Sequence, residues 1–341
     1  LRLEVDFFKR KRSGIPATPT DIIYPYEAGY SAQTRNLNSD QVSGIDGMVK
    51  WNDRIDDFNY FVGVNLTLAR QKTLNNYGEV FLNAWDKYRW AQANRWSNVK
   101  NGAVWMWETI GVFQTQEEID NYPVNIDGAN NVNLRPGDLI FKDVNGDGII
   151  DDYDKRPLGY AATDYDWDSS NANKNPLLSM GINLGFEYKG VDFAADFAGG
   201  FMNTFIGDWH VKYGIGTDQM GYVYNVVDSW QHEDIFDAKS PWISGKFPAV
   251  RSNNPSIRDW NDFYAKKVNY LRLRNLVVGY TLPAKWTKKV LIQKLRVYFE
   301  GSNLLCWDSL NDFGFDPEIS SVTGFDYPQH KVYTVGVNET F

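Results

Sequence analysis

No apolar stretch in this sequence approaches the ~18 residues of a membrane-spanning helix. That leaves open a membrane crossing by β-strands, which are short, alternate polar and apolar residues, and carry a weak hydropathy signal. There is one cysteine, Cys306, so an intrachain disulfide and a cysteine-cluster metal site are both excluded. The three histidines, His210, His232 and His330, lie far apart with no metal-ligand spacing. A nucleophile elbow, a phosphate-binding glycine loop and a Cys/His pair are all missing. Carboxylate pairs do occur (Asp56/Asp57, Glu117/Glu118, Asp151/Asp152), but neighbouring residues on a strand point to opposite faces. The chain therefore reads as a non-enzyme. Basic residues are outnumbered, 35 Lys and Arg against 43 Asp and Glu, for a net charge of −8. Phosphate backbones need a basic surface, so nucleic acid is excluded as the main partner.

Aromatics are abundant. The 341 residues include 13 Trp, 20 Tyr and 20 Phe, with 28 Gly. This composition, with little helical periodicity, points to β architecture, and a barrel's aromatic girdles are one outlet for it. The clearest strand covers 178–188. Leu178, Met180, Ile182, Leu184, Phe186 and Tyr188 alternate without exception with Ser179, Gly181, Asn183, Gly185 and Glu187. After the tight turn Lys189-Gly190, Val191, Phe193, Ala195 and Phe197 continue the pattern as a hairpin.

Tyr60, Val62, Val64, Leu66 and Leu68 form another strand, preceded by a short candidate at 47–51. A long strand spans 268–282. Its apolar phase changes from odd (Leu271, Leu273) to even (Leu276, Val278, Tyr280), which predicts a bulge near Asn275. Leu295, Val297 and Phe299 follow, then Tyr333, Val335, Val337 and Phe341. Leu1, Leu3, Val5 and Phe7 alternate with Arg2, Glu4 and Asp6, so the chain opens in mid-strand, as expected of the C-terminal portion of a longer protein.

About eight strands result, and their links alternate strictly. Links 52–57, 189–190 and 283–294 are short; 9–46, 71–175, 202–267 and 305–331 are long. Outer-membrane barrels keep short turns on the periplasmic side and long loops outside. By that parity the last strand ends in the periplasm. Phe341 closes it with a terminal aromatic like the signal read by outer-membrane assembly machinery, although Glu339 departs from that pattern. The apolar face of each strand would meet lipid, and the small or polar face a wet or plugged lumen. Small inward residues suit a wide barrel with further strands upstream. A small closed barrel of eight strands is a separate arrangement.

Inside the longest link, oxygen ligands recur at positions 1, 3, 5, 9 and 12 counted from Asp143: Asp143, Asn145, Asp147, Asp151 and Asp154. Gly148 sits at the sharp turn of position 6, and Ile149 at 7 would offer its carbonyl. The spacing matches a twelve-residue calcium loop with Asp in place of the usual Glu at position 12. The expected role is a structural Ca²⁺ that rigidifies an external loop; a turn held by Asx hydrogen bonds without metal is the plainer alternative. Trp85, Trp90, Trp96, Trp105, Trp107, Trp209, Trp230, Trp242 and Trp260 lie in the long links. They would fill local loop cores, or else stack on sugar rings or a lid protein. Trp286, with Lys285, Lys288 and Lys289, reads as an anchor at the periplasmic membrane interface, and Cys306 as a small packing residue.

Segments 136–159 (PGDLIFKDVNGDGIIDDYDKRPLG), 178–190 (LSMGINLGFEYKG), 270–283 (YLRLRNLVVGYTLP) and 295–303 (LRVYFEGSN), with 113–123, 51–66 and the final strand, occur in an order that resembles the SusC/RagA family of TonB-dependent outer-membrane transporters. The resemblance implies a large plugged barrel of about 22 strands, of which residues 1–341 would be the C-terminal portion and 71–175 a long extracellular loop. It also implies a SusD-like surface lipoprotein as partner, energy from TonB through an N-terminal region and plug outside this chain, and uptake of an oligomeric glycan or peptide. The rival reading is a soluble, calcium-stabilised extracellular β-domain that binds carbohydrate.

Overall fold

A computed structural model describes residues 1–19, 32–75, 104–159, 176–206, 227–251, 254–257, 261–287, 291–310, 316–318 and 329–340, with 25, 27, 29, 84 and 289 between them. Eight long strands dominate it: β1 (Arg2–Ala17), β2 (Arg35–Ile55), β3 (Phe58–Asn75), β4 (Leu178–Tyr188), β5 (Val191–Ile206), β6 (Ala265–Thr281), β7 (Lys294–Asp308) and β8 (Val332–Thr340). They form one antiparallel sheet in which every strand pairs with its neighbours in the chain, an up-and-down meander. β1 and β8 are the two edges and are not paired with each other, so this sheet is not the small closed eight-stranded barrel.

Several strands run further than their apolar residues indicate. β2 begins at Arg35 rather than near Gly47, and β1 continues through Lys9, Arg10 and Lys11 to Ala17. The ladder between them is nearly unbroken from Arg2↔Lys50 to Ser13↔Ser39. Backbone pairing is blind to side-chain hydropathy, so a strand leaves the apolar zone without ending. Leu305 likewise belongs to β7 and not to the link after it.

The short links are tight. Lys189 and Gly190 both take positive φ (46° and 89°), the mirror-image turn that suits the twist of a hairpin. Asp56 and Asp57 join β2 to β3, and a short helix, Ala284–Thr287, sits in the link from β6 to β7. The expected bulge is present: the register of β6 shifts between Leu273 and Asn275 against both neighbours.

Most of the buried core lies off the sheet. Trp107, Phe113, Ile119, Ile126, Leu134, Leu139, Phe141 and Ile150 pack with Phe247, Tyr264, Val268 and Leu310. Apart from Val268, these residues come from the long links. Two small ladders stiffen that region, Val104–Met106 against Arg156–Gly159 and Thr109–Val112 against Leu139–Phe141.

Candidate functional site

The sheet has two chemically opposite faces, and register decides which residue lies on which. Cross-strand partners share a face. One face carries Leu3, Val5 and Phe7 of β1 beside Val49, Gly47 and Ile45 of β2, then Val64, Leu66 and Leu68 of β3, then Ile182, Met180 and Leu178 of β4. The same face continues through Phe193 and Phe197 of β5, Leu273, Val278 and Tyr280 of β6, Val297 and Phe299 of β7, and Val335 and Val337 of β8. Among the described residues no second layer covers it. Phe7 is 78% exposed and Val335 76%; Met180, Ile182, Leu184 and Phe186 are half-buried by their neighbours in the sheet and absent from the core. At the short-link end the face becomes aromatic. Phe58 stacks with Tyr60 and packs on Phe186 and Tyr188, and Phe186 stacks on Phe193.

The opposite face is polar and flat. Asn65, Thr67, Asn183, Asp192, Asp196 and Ser302 lie on it by register. Thr67 donates to Asp46 and the Asn183 amide to Asp196. This face also holds four large aromatics. Phe8 is opposite Gly44, Phe61 opposite Gly185, Tyr270 opposite Gly200 and Tyr298 opposite Gly336. Each ring lies over its cross-strand glycine: a Cβ at Gly336 would stand 2.3 Å from the Tyr298 ring and one at Gly185 2.6 Å from Phe61. Glycine thus makes room for a ring to lie flat on the wall. Composition along single strands, which shows the inner face as small, hides these rings because the pairing partner lies on another strand.

Several cations on the polar face are matched by acids. The Arg296 Nε donates to Asp192 at 2.8 Å across β6, over Gly279, where any side chain would collide with the pair. Arg272 is buried and pairs with Asp316 at 2.7 Å and Glu318 at 3.0 Å, while Arg274 reaches Glu318 at 2.6 Å. Residues 316–318 of the last long link are thereby held against the wall of β6.

The link module has its own bracing. Asp138, fully buried, accepts from Arg251 Nη1 at 2.9 Å, from the backbone N–H of Arg135 and from the Ser256 hydroxyl. Leu139 N–H donates to Ser256 Oγ, and Thr109 N–H to Asp262. These bonds join the link after β3 to the link after β5. Burial pushes the Tyr264 hydroxyl pKa up, with the charge of Asp138 adding to it. Partial burial alone would raise the Asp127 carboxyl, but the amide N–H groups of Asn133, Ala129 and Asn131 outweigh it, and its pKa falls below the ordinary value.

The acidic loop is folded on its own backbone. Asp143 accepts from Gly146 and Gly148, Asn145 from Asp147, Asp147 from Ile149, and Asp151 from Tyr153. Asp154, buried, accepts from Val144 and Asp151. Gly146 and Gly148 take positive φ, as the turn requires. Among the described residues no three His, Cys, Asp or Glu side chains stand close enough to share an ion. An ion would require side chains such as the exposed Asp147 to turn inward.

Of the loop tryptophans, Trp107 and Trp230 are buried; Trp107 donates to the Asp151 carbonyl, and Trp230 lies against Gly137. Trp242 stacks on His232. Packing accounts for these three. Trp85, Trp90, Trp96, Trp209 and Trp260 lie outside the described residues, as does the side chain of Trp105. Trp286 is 58% exposed in its short link, and Cys306 is partly buried opposite Arg272. Phe341 lies outside the described residues.

No protein-family model matches the chain. It is 24% identical over 362 aligned positions to TonB-dependent receptor P26 of Formosa agariphila, covering 99% of this chain and 32% of that protein. It is 26% identical over 226 positions to TonB-dependent receptor P3 of the same organism, covering 60% of this chain and 19% of that protein. The chain thus spans between a fifth and a third of the length of these relatives. Among solved structures it is similar to the RagAB peptide transporter, with a TM-score of 0.60 and 21% identity over 98% of this chain and 33% of that one. The RagAB peptide importer in its 'open-open' state gives 0.60 and 20%, over 99% of this chain and 32% of that one. The relatives are receptors and the structural neighbours transporters; none is an enzyme.

Proposed function

We propose that the chain is a segment of a SusC/RagA-type TonB-dependent receptor barrel and forms part of the outer-membrane wall of an importer for an oligomeric nutrient, glycan or peptide. The observation that carries this is the placement of the core. Among the described residues no second layer lies on the apolar face of the sheet, where Phe7, Val49, Val62 and Val335 are exposed, while the sealed apolar cluster lies mainly in the long links. A soluble sheet would bury that face; a barrel wall turns it to hydrocarbon and its polar face to the lumen. Both edge strands are open, so further strands of the same protein complete the wall. The long links gather at one end, the extracellular one in this reading, where they meet substrate and a SusD-like lipoprotein. The last strand then ends in the periplasm. TonB acts through a plug and an N-terminal region outside this chain.

Calcium at the 143–154 loop belongs to the same proposal, supported by ligand spacing and by the tight turn at Gly148. The ion would be structural.

Detergent dependence of the full receptor tests the proposal. The protein is expected in the membrane fraction, monodisperse only in detergent, and to shift in gel mobility on boiling, as a closed barrel does. Labelled oligomers should enter cells carrying it only while the proton-motive force is intact. A folded, monodisperse protein in buffer without detergent would instead favour the soluble carbohydrate-binding domain.

A further inference from the structure

Ion pairs on the polar face of the sheet are of two kinds. Arg12 with Asp40 and Arg296 with Asp192 join residues that both belong to strands. Arg272 and Arg274 belong to β6, but their acids, Asp316 and Glu318, come from the link after β7. The cations are fixed on the wall, and the anions reach them from a tether.

The wall is shaped at this point. Arg274 is the extra residue where the register of β6 shifts against both neighbours. Opposite it, Asn303 and Leu304 of β7 also stand outside the ladder, Asn303 with positive φ. Bulges re-aim side chains. Here Arg274 reaches Glu318 at 2.6 Å and Asn303 Oδ1 at 3.3 Å, so the two arginines share one carboxylate.

The fit of the acids is incomplete. A carboxylate holds a guanidinium best with one oxygen on each of two nitrogens. Both oxygens of Asp316 instead lie 2.7 Å from the same nitrogen, Arg272 Nη2. Arg272 Nε is 3.0 Å from Glu318 but buried without an aligned hydrogen bond. Asn275 Oδ1, next to the bulge, is a buried acceptor with no donor among the described residues. The Arg272 side chain is 5% exposed and that of Arg274 41%, so one cation is sealed by the acids and the other opens to the space beside the wall.

We propose that Arg272 and Arg274 form a binding site for carboxylate groups of the imported oligomer, and that Asp316 and Glu318 fill it as tethered stand-ins which substrate displaces. The inference rests on the importer reading above and narrows its substrate to an acidic oligomer. A guanidinium stays charged at any working pH, so a buried one needs an anion at all times. An acid borne on a link supplies it in the resting protein and leaves without breaking the strand ladder. A substrate carboxylate arriving from the long-link side restores the pairing and takes the two-nitrogen geometry that the tethered acids miss. The carboxylates come from acidic side chains of a peptide or from uronic acids of a glycan; both present the same planar pair of oxygens.

The test uses the full receptor purified in detergent, with binding of fluorescently labelled probes read by anisotropy. Hexaglutamate and a hexameric uronate are the acidic probes; hexaglutamine and the matching neutral sugar hexamer are the controls. Asp316→Asn/Glu318→Gln keeps the size and the accepting oxygens of both side chains and removes their charge. This variant should bind at least one acidic probe on the order of tenfold more tightly than the parent, because its own link no longer occupies the site. The neutral probes should show no gain. Adding Arg274→Met, the more exposed of the two arginines, should remove most of the gain. No gain for either acidic probe, an equal gain for the neutral probes, or a gain undiminished by the loss of Arg274 would each overturn the proposal. A gain confined to hexaglutamate or to the uronate supports it and identifies the source of the carboxylate. Gel-mobility shift on boiling is read in parallel. Its absence from the parent would strike at the membrane reading itself, whereas a parent that shifts and a variant that gains nothing defeat only the carboxylate site. Should the double variant lose the shift, Glu318→Gln alone decides, with a smaller gain expected.

Discussion

In the eight-stranded sheet Leu3, Phe7, Val335 and Val337 stand in the open, whereas in the long links Phe113, Ile119, Leu134 and Phe141 are sealed. The two regions place their charges oppositely as well. The sheet keeps Arg296–Asp192 and the Arg272 cluster on its polar face, beside the space a lumen would occupy. The link module buries Asp138 beneath its apolar cluster and neutralises it with Arg251. In the proposed barrel wall, one region is organised for a solvent that is itself apolar on one side. The other folds as a small water-soluble domain does, around its own interior. A single chain thus answers to two solvents, and each region should fail by its own rule.

The largest effect should come from the link module. Arg251→Met removes the partner of a fully buried carboxylate, a loss that typically costs about 3–5 kcal/mol because the remaining charge is unpaired and unsolvated. The expected outcome is rapid proteolysis within 104–159 and 227–264, with the boiling-dependent gel shift of the barrel retained. A variant that loses both together would show that sheet and links form one cooperative unit, and the division drawn above would not hold.

How much of this was readable beforehand follows from what each region uses as its signal. β4 obeys period two without exception and the start of β5 resumes it, so strand and turn were evident in Leu178 through Phe197. The phase change at Asn275 announced the bulge. The polar reaches of β1 and β2 were not readable, because Lys9, Arg10 and Arg35 are held by backbone pairing alone. The link core was hidden for a different reason. Its key contact, Leu139 N–H to Ser256 Oγ, joins residues 117 apart in sequence, and no local period encodes such a meeting. The rings on the polar face were missed because a Tyr298 beside Gly336 is visible only once register is known. In the acidic loop the ligand spacing was legible, and so were the Asx hydrogen bonds that its carboxylates make.

The next effect sharpens the contrast between the two faces of the sheet. Leu184→Arg puts a cation on the outer face near mid-strand, whereas Asn183→Arg puts the same cation one residue away on the polar face. In a barrel wall the first should cost about 2–4 kcal/mol and the second close to nothing. Equilibrium unfolding of the full receptor from lipid vesicles in guanidinium reads the difference. Equal costs at the two positions would mean that the outer face does not meet hydrocarbon.

The smallest effect concerns what holds the acidic loop. Its hydrogen bonds already close the turn, so an ion adds to an existing structure rather than creating one. If Ca²⁺ binds, it should stabilise the link module by an amount set by mass action, about 2.7 kcal/mol at a free concentration one hundred times its dissociation constant. Proteolysis of the module, compared in Ca²⁺ and in chelator, measures this. Asp147→Asn/Asp151→Asn is the matched variant. Asparagine can still accept the N–H bonds from Ile149 and Tyr153 but lacks the charge a hard cation needs. The parent should gain protection from Ca²⁺ and the variant none. Identical rates for the parent in Ca²⁺ and chelator would leave the loop as a turn braced by its own amides, and the link module as a domain that needs no metal.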